Sequence, residues 1–243
     1  MTTPAVGATP PGRGVAPARV LHAVPALAAG GGLVLEVGRA LAEGPGDAGT
    51  TTERLVRLFS YFTIQSNLLV LAASVLLVAR PARTDRFPAV LHLDALLCVA
   101  VTGVVYHGVL ADPSAASTPS GRAADLLLHT VAPVATWLVW LLVGPRPRFG
   151  GGTAAWAVVY PLVWIAWTFT RGAATGWYPY PFLDVAAVGA ARAALNTAAV
   201  AAGFLVLALL VRLLERVLPR TPRVPTAPAA PPDAPDTPDT PSA

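Results

Sequence analysis

Residues 55–79 read LVRLFSYFTIQSNLLVLAASVLLVA. A run of about 20 mainly apolar residues is long enough to cross the hydrocarbon core of a bilayer as a helix. This run also carries a hydroxyl and two amides, at Thr63, Gln65 and Asn67. Polar side chains at membrane depth are costly unless they are paired, so they are candidates for function. The stretch therefore predicts a membrane helix that contributes to a site.

Composition extends this prediction to the whole chain. Its 243 residues are 54% hydrophobic and 12% charged, whereas a soluble domain has about 25% charged residues. A nucleic-acid-binding protein would place basic and aromatic residues together on one face, and no such pattern occurs. The single cysteine, Cys98, excludes an intrachain disulfide, a CxxC zinc site and an iron–sulfur cluster. We expect membrane lipids as partners, no nucleic acid, no metal and no cofactor.

Long apolar runs recur six times. Lipid permits only helices or closed barrels, and these runs are too long for barrel strands. The sequence therefore predicts an all-α polytopic membrane protein, a bundle of six transmembrane helices within a domain at 19–218. The spans are expected at 19–42, 55–79, 88–111, 123–143, 154–171 and 190–214. The Pro-rich and Ala-rich ends, 1–18 and 219–243, are typical of disordered segments.

The arginines predict the orientation of the bundle. Eleven lie in segments that the six spans place on one side of the membrane: Arg13, Arg19, Arg80, Arg83, Arg86, Arg146, Arg148, Arg212, Arg216, Arg220 and Arg223. Six lie near the opposite ends: Arg39, Arg54, Arg57, Arg122, Arg171 and Arg192. By the positive-inside rule, both termini are cytoplasmic in a multi-pass protein of the plasma membrane.

Polar residues concentrate in the outer third of this predicted bundle. At about 1.5 Å per residue, Thr63 lies about 12 Å below the outer end of its span and His129 about 9 Å below the end of the fourth. Asn67 and Asp125 lie one turn from them on the same helix faces. Further polar residues near the outer ends are His107, Arg171 and Asn196. The distribution predicts a polar cavity open to the outer leaflet.

These residue types permit nucleophilic catalysis. A threonine hydroxyl attacks once a base removes its proton, and a histidine at matching depth can act as that base. Asp125 is placed to orient His129, which is the third role in a catalytic triad. Gln65 or Asn67 could donate to a developing oxyanion. The alternatives are a threonine bonded back to its own helix and a histidine that joins two helices.

Three segments carry a resemblance to a known family. They are FSYFT at 59–63, LHT at 128–130 followed by Pro133, and GWYPYPFLD at 176–184. Together they resemble the actinobacterial "Pr-six-Pr" integral membrane proteins. Those look like distant relatives of the animal androgen-induced and androgen-dependent TFPI-regulating membrane hydrolases. The similarity extends over all six spans and leaves out both tails.

The resemblance implies an activity. The animal family consists of intramembrane threonine hydrolases that cleave fatty acyl esters. Carried over to this sequence, it implies Thr63 as nucleophile and His129 as base, with a role in lipid metabolism. The aromatic residues Trp177, Tyr178 and Tyr180 are interpreted as a lid over the substrate site, with interfacial anchoring as the alternative.

Two other functions remain open from the sequence. One is a non-catalytic membrane protein that binds a lipid or another small molecule. The other is a haem protein, because His107 with His129, and His22 with His92, lie at matching depths and could each form a bis-histidine site.

Overall fold

The computed structural model describes residues 15–80, 85–111 and 118–220. Seven long helices make up most of this part of the chain: α1 (Val15–Ala42), α2 (Thr51–Ser60), α3 (Phe62–Ala79), α4 (Arg86–Leu110), α5 (Pro119–Val143), α6 (Gly151–Thr175) and α7 (Ala190–Val217). All except α2 are long and apolar enough to cross a membrane. No strand occurs among the described residues. The predicted all-α bundle of six membrane helices is therefore confirmed.

The helix ends differ from the predicted spans mainly at the second crossing. Helix α1 begins at Val15 rather than at residue 19. Helices α6 and α7 extend beyond residues 171 and 214, where the fifth and sixth predicted spans end. Most of the predicted disordered ends, residues 1–14 and 221–243, lies outside the described residues. The predicted second span, 55–79, is divided, and only Phe62–Ala79 is apolar enough to cross.

Tyr61 divides that span. Its backbone is extended (φ −67°, ψ 132°), so the short helix α2 ends there and α3 begins at the next residue. Thr50 caps the start of α2 by accepting a hydrogen bond from the Glu53 amide. The expectation of one continuous helix was wrong because no glycine or proline marks the break.

The break is stable because side chains bind the carbonyl groups that it frees. In an apolar environment an unpaired backbone carbonyl is costly. The Gln65 amide donates to the Phe59 carbonyl (2.7 Å), and the Trp164 indole donates to the Ser60 carbonyl (3.0 Å). Tyr160 in turn donates to the Gln65 side-chain oxygen (2.8 Å). The polar residues of this stretch thus hold an irregular backbone in place.

Helix α4 forms the centre of the bundle. Of its apolar stretch 61% is buried, compared with 11% for α7 at the periphery. It packs against α3, α5, α6 and α7, and α1 packs against α3 and α5. Gly32 of α1 permits close packing, because a Cβ there would come within 2.6 Å of the Leu128 side chain. This packing brings the first turn of α3 next to the part of α5 that carries His129.

Replacing Gln65 with leucine is expected to lower the free energy of unfolding by about 1–3 kcal/mol, because the Phe59 carbonyl loses its donor. Thermal unfolding of the detergent-solubilised protein measures this loss. Leu68→Ala, at a lipid-facing position of the same helix, is the control. An unfolding temperature for Gln65→Leu equal to that of wild type would show that the amide does not stabilise the break.

Candidate active site

Thr63 lies in the first turn of α3, directly after the break. Its Oγ1 is 3.3 Å from His129 Nε2 and 3.4 Å from the Tyr180 hydroxyl oxygen. Its backbone amide donates to the same Tyr180 oxygen (3.2 Å). Thr63 and His129, predicted from separate spans, are thus within hydrogen-bond distance of each other. Because the crossing helix starts at Phe62, Thr63 is nearer the membrane boundary than the predicted depth of about 12 Å.

Asp125 orients His129 from the same helix. The Nδ1 atom of His129 is 2.9 Å from Asp125 Oδ1 and 3.1 Å from the Asp125 backbone carbonyl. Helix α5 is π-helical over Leu127–Val131, and such turns occur frequently at functional sites. With Nδ1 facing the carboxylate, Nε2 faces the Thr63 hydroxyl. The predicted order of threonine, histidine and aspartate is present.

Tyr106 completes this arrangement, and sequence reasoning missed it. Its ring stacks on the His129 ring, with centroids 3.9 Å apart and an interplanar angle of 13°. Its hydroxyl donates to Asp125 Oδ2 (2.5 Å). The residue begins a second π-helical turn, Tyr106–Leu110, at the end of α4. A tyrosine at the end of a membrane helix resembles an interfacial anchor, so no sequence pattern distinguishes it.

Tyr180 lies inside the site rather than over it. It was predicted as part of a lid, yet it is 9% exposed and its ring packs edge-on against Tyr61. Burial raises the pKa of its hydroxyl to about 12, so the group is protonated at neutral pH and can donate a hydrogen bond. Asn196 holds the loop by donating to the Phe182 carbonyl (2.8 Å).

The other two predicted lid residues lie nearer the surface. Trp177 packs against Tyr61, and the guanidinium groups of Arg57 and Arg171 lie over its ring at 5.4 and 5.2 Å. Tyr178 contacts Phe169 in α6. Arg171 also binds Glu53 of α2. These contacts attach the loop and α2 to α6, and none of them reaches Thr63.

The predicted oxyanion donors have other partners. Asn67 is fully buried and donates to the carbonyls of Thr63 (2.9 Å) and Leu128 (3.2 Å). Gln65 supports the helix break at Tyr61. His107 is exposed and forms a hydrogen bond with the Thr130 hydroxyl (3.1 Å). Asn67 thus links the two helices that carry the site, whereas Gln65 and His107 do not contact Thr63 or His129.

The histidine geometry does not suit either predicted haem pair. Both ring nitrogens of His129 have hydrogen-bond partners, which leaves neither for axial ligation. His22 and His92 lie in the packed core, 2% and 3% exposed, with ring centroids 6.4 Å apart. Among the described residues, no group of three His, Cys, Asp or Glu side chains lies close enough to hold a metal ion.

An apolar cavity of about 210 Å³ adjoins the threonine. Thr63 and Tyr180 lie in its lining, and the remaining walls are mainly aliphatic and aromatic side chains of α4, α6, α7 and the 180–183 loop. His129 is outside this lining, with 17% of its side chain exposed. The Thr63 hydroxyl therefore lies next to both an apolar space and a partly exposed imidazole.

Comparison with known proteins found no matching family model, no similar curated protein and no similar solved structure. The interpretation of the site therefore depends on its geometry and chemistry.

Tyr180→Phe is expected to lower the free energy of unfolding by about 1–3 kcal/mol, because the Thr63 amide loses its acceptor. Tyr178→Phe is the matched control, since the structure shows no hydrogen bond of the Tyr178 hydroxyl to the described residues. Thermal unfolding of both variants in detergent makes the comparison. Equal unfolding temperatures would mean that the Tyr180 hydroxyl does not hold the first turn of α3.

Proposed function

We propose that this multi-pass membrane protein is an intramembrane hydrolase that cleaves fatty acyl esters of lipids. The observation that supports this most directly is the contact between Thr63 Oγ1 and His129 Nε2 (3.3 Å), with Asp125 Oδ1 2.9 Å from the other ring nitrogen. Nucleophile, base and orienting carboxylate follow the order of a hydrolytic triad. The adjoining cavity supplies a place for an acyl chain.

The first half of the reaction forms an acyl-enzyme. His129 Nε2 removes the proton from the Thr63 hydroxyl while Oγ1 attacks the ester carbonyl carbon. Asp125 stabilises the imidazolium that forms. The tetrahedral intermediate then expels the alcohol, which takes the proton from His129. Thr63 is left esterified by the fatty acid.

Water completes the cycle. His129 removes a proton from a water molecule as its oxygen attacks the acyl carbonyl, and the same proton returns to Thr63 as the fatty acid leaves. The partial exposure of Asp125 (35%) and His129 (17%) gives water a route to the base. The lining of the apolar cavity includes neither His129 nor Asp125, so an acyl chain in the cavity leaves this route to water.

Two groups are positioned to stabilise the oxyanion. The first turn of a helix carries its positive dipole end, and Thr63 is in the first turn of α3, where its own amide already donates to Tyr180, so this turn acts on the oxyanion through its dipole. The protonated hydroxyl of Tyr180 lies 3.4 Å from Thr63 Oγ1. Preorganised donors of this kind account for much of the rate enhancement in acyl transfer.

Orientation and family resemblance agree with this proposal. The excess of arginine at one set of helix ends places both termini in the cytoplasm by the positive-inside rule. The triad then faces the outer leaflet of the plasma membrane. The resemblance to the membrane threonine hydrolases implies roles for Thr63 and His129, and these side chains meet.

Thr63→Ala and His129→Ala are each expected to lower kcat by about 10³-fold or more, because each removes one member of a coupled triad. Release of fatty acid from a long-chain ester in liposomes measures the rate. Thr197→Ala is the matched control, because Thr197 also lines the cavity but its hydroxyl donates to the Ala193 carbonyl.

A covalent hydrolase probe gives a second readout. We expect a fluorophosphonate to label wild type and Thr197→Ala but not Thr63→Ala. Labelling that persists in Thr63→Ala would rule out this residue as the nucleophile.

Tyr106→Phe is expected to lower kcat by about tenfold with KM nearly unchanged, because Asp125 loses a donor and the base is held less firmly. The stacking on His129 is retained, so a hydroxyl effect is separated from a packing effect. Steady-state kinetics over pH 5–9 should also show a displaced acidic limb. A kcat and pH profile identical to wild type would show that Tyr106 does not position the base.

The cavity by itself supports a second candidate, a lipid-binding protein without catalysis. In that case wild-type protein would retain a long-chain ester through purification and release no fatty acid. Thr63→Ala would then bind as well as wild type.

A further inference from the structure

The cavity beside Thr63 is long and narrow. Along α6 its lining extends from Phe169 to Val158, which corresponds to about 16 Å at 1.5 Å per residue. The hydrocarbon core of a bilayer is ~30 Å thick. The length of the cavity lining is about half of this thickness and therefore corresponds to one leaflet. Its volume of about 210 Å³ is below the range of about 300–1,000 Å³ typical of ligand pockets. Length and volume together fit one unbranched acyl chain.

Four residues with side-chain hydroxyls line the cavity: Thr63, Thr102, Tyr180 and Thr197. The Thr102 hydroxyl is 2.8 Å from the Ser66 hydroxyl, and Thr197 donates to a carbonyl of its own helix. Neither is available to a ligand without loss of an existing bond. Thr63 and Tyr180 therefore present the chemically active hydroxyls to a chain inside the cavity, at the end nearest the membrane boundary.

At the end of the cavity that contains Thr63 and Tyr180, the 180–183 loop separates the cavity from the aqueous side. Tyr180 and Leu183 are 9% and 4% exposed, and Tyr180 stacks on Phe182. Asp184 caps the short helical turn Val185–Val188 that comes next in the chain. A long chain coming from water would have to displace this packed segment.

The side facing the lipid is more open. Leu162 of α6 and Leu205 of α7 both line the cavity, and each is 58% exposed on the outer surface of the bundle. Ala201, one turn before Leu205 on α7, also lines the cavity and is exposed. We call the gap flanked by these three residues the lateral portal. Because α7 is the least buried crossing helix, little packing has to be disturbed to widen it.

We propose that the substrate is a lipid resident in the bilayer, whose acyl chain passes sideways through the lateral portal into the cavity and brings its ester carbonyl to Thr63. This inference rests on the proposed hydrolase function for the position of the carbonyl. The lateral portal has lipid tails on its outer side and the apolar cavity on its inner side, so an acyl chain passes through it without being exposed to water. A water-soluble ester would not need to pass through the lateral portal to reach Thr63.

The test compares two neighbouring alanines of α7. Ala201→Trp places an indole in the portal, whereas Ala202→Trp places it on an exposed position of the same helix outside the cavity lining. Both face lipid, so both are expected to fold. Each variant is assayed with a long-chain ester in phosphatidylcholine liposomes and with a water-soluble acetate ester.

Ala201→Trp should lower kcat/KM for the liposomal ester by about tenfold or more, because an overfilled portal resists the chain as an overpacked core does. The acetate ester needs only Thr63 and His129, so its hydrolysis should change less than about twofold. Ala202→Trp should change neither rate. Equal liposomal rates in all three proteins, or equal losses in both tryptophan variants, would overturn the portal.

A labelling experiment separates the portal from the chemistry. A fatty acid with a photoreactive diazirine at mid-chain is incorporated into the liposomes and irradiated with each protein. Wild type and Ala202→Trp should be labelled on α6 and α7, and Ala201→Trp should not. If no protein hydrolyses either ester but this pattern holds, the proposed hydrolase is wrong and the portal stands. If all three are labelled alike, the portal is wrong whatever the activity.

Discussion

The buried side chain of Asn67 supports the whole site. It donates to the carbonyl of Thr63 on its own helix and to the carbonyl of Leu128, which precedes His129, on another. In an apolar interior an unpaired donor costs about 1–3 kcal/mol, so the Nδ2 group of Asn67 keeps both bonds. The distance between the Thr63 hydroxyl and the imidazole is thereby fixed by a residue that touches neither.

The sequence predicted the crossings well and the break poorly. Apolar length alone defines a membrane helix, which is why five of the six spans were found to within four residues at each end. The extended backbone at Tyr61 is stabilised by Gln65 and Trp164, and one of these comes from a helix about 100 residues away in the chain. Contacts of that kind cannot be read from local periodicity. Gln65 was predicted to be an oxyanion donor because its contacts with Phe59 and Tyr160 could not be read from the sequence either.

Thr63, His129 and Asp125 were predictable from their depth and spacing, and their contacts with Tyr106 and Tyr180 were not. Thr63 and His129 stood out as polar groups in apolar spans, and the helix spacing of Asp125 was already visible. Tyr106 was hidden because its role depends on two π-helical turns, one in α4 and one in α5. Each such turn inserts a residue and rotates the rest of its helix. No sequence signal marks where that insertion falls.

The division at Tyr61 also sets the level at which the proposed reaction occurs. Helix α3 has 18 residues, or about 27 Å, slightly less than the ~30 Å hydrocarbon thickness. Its first turn is then in register with the layer where membrane lipids carry their own ester groups. A lipid would not need to be lifted toward water or drawn toward the midplane for its carbonyl to meet the hydroxyl. One extended residue thus matches the height of the proposed nucleophile to the level of the lipid ester groups in the bilayer.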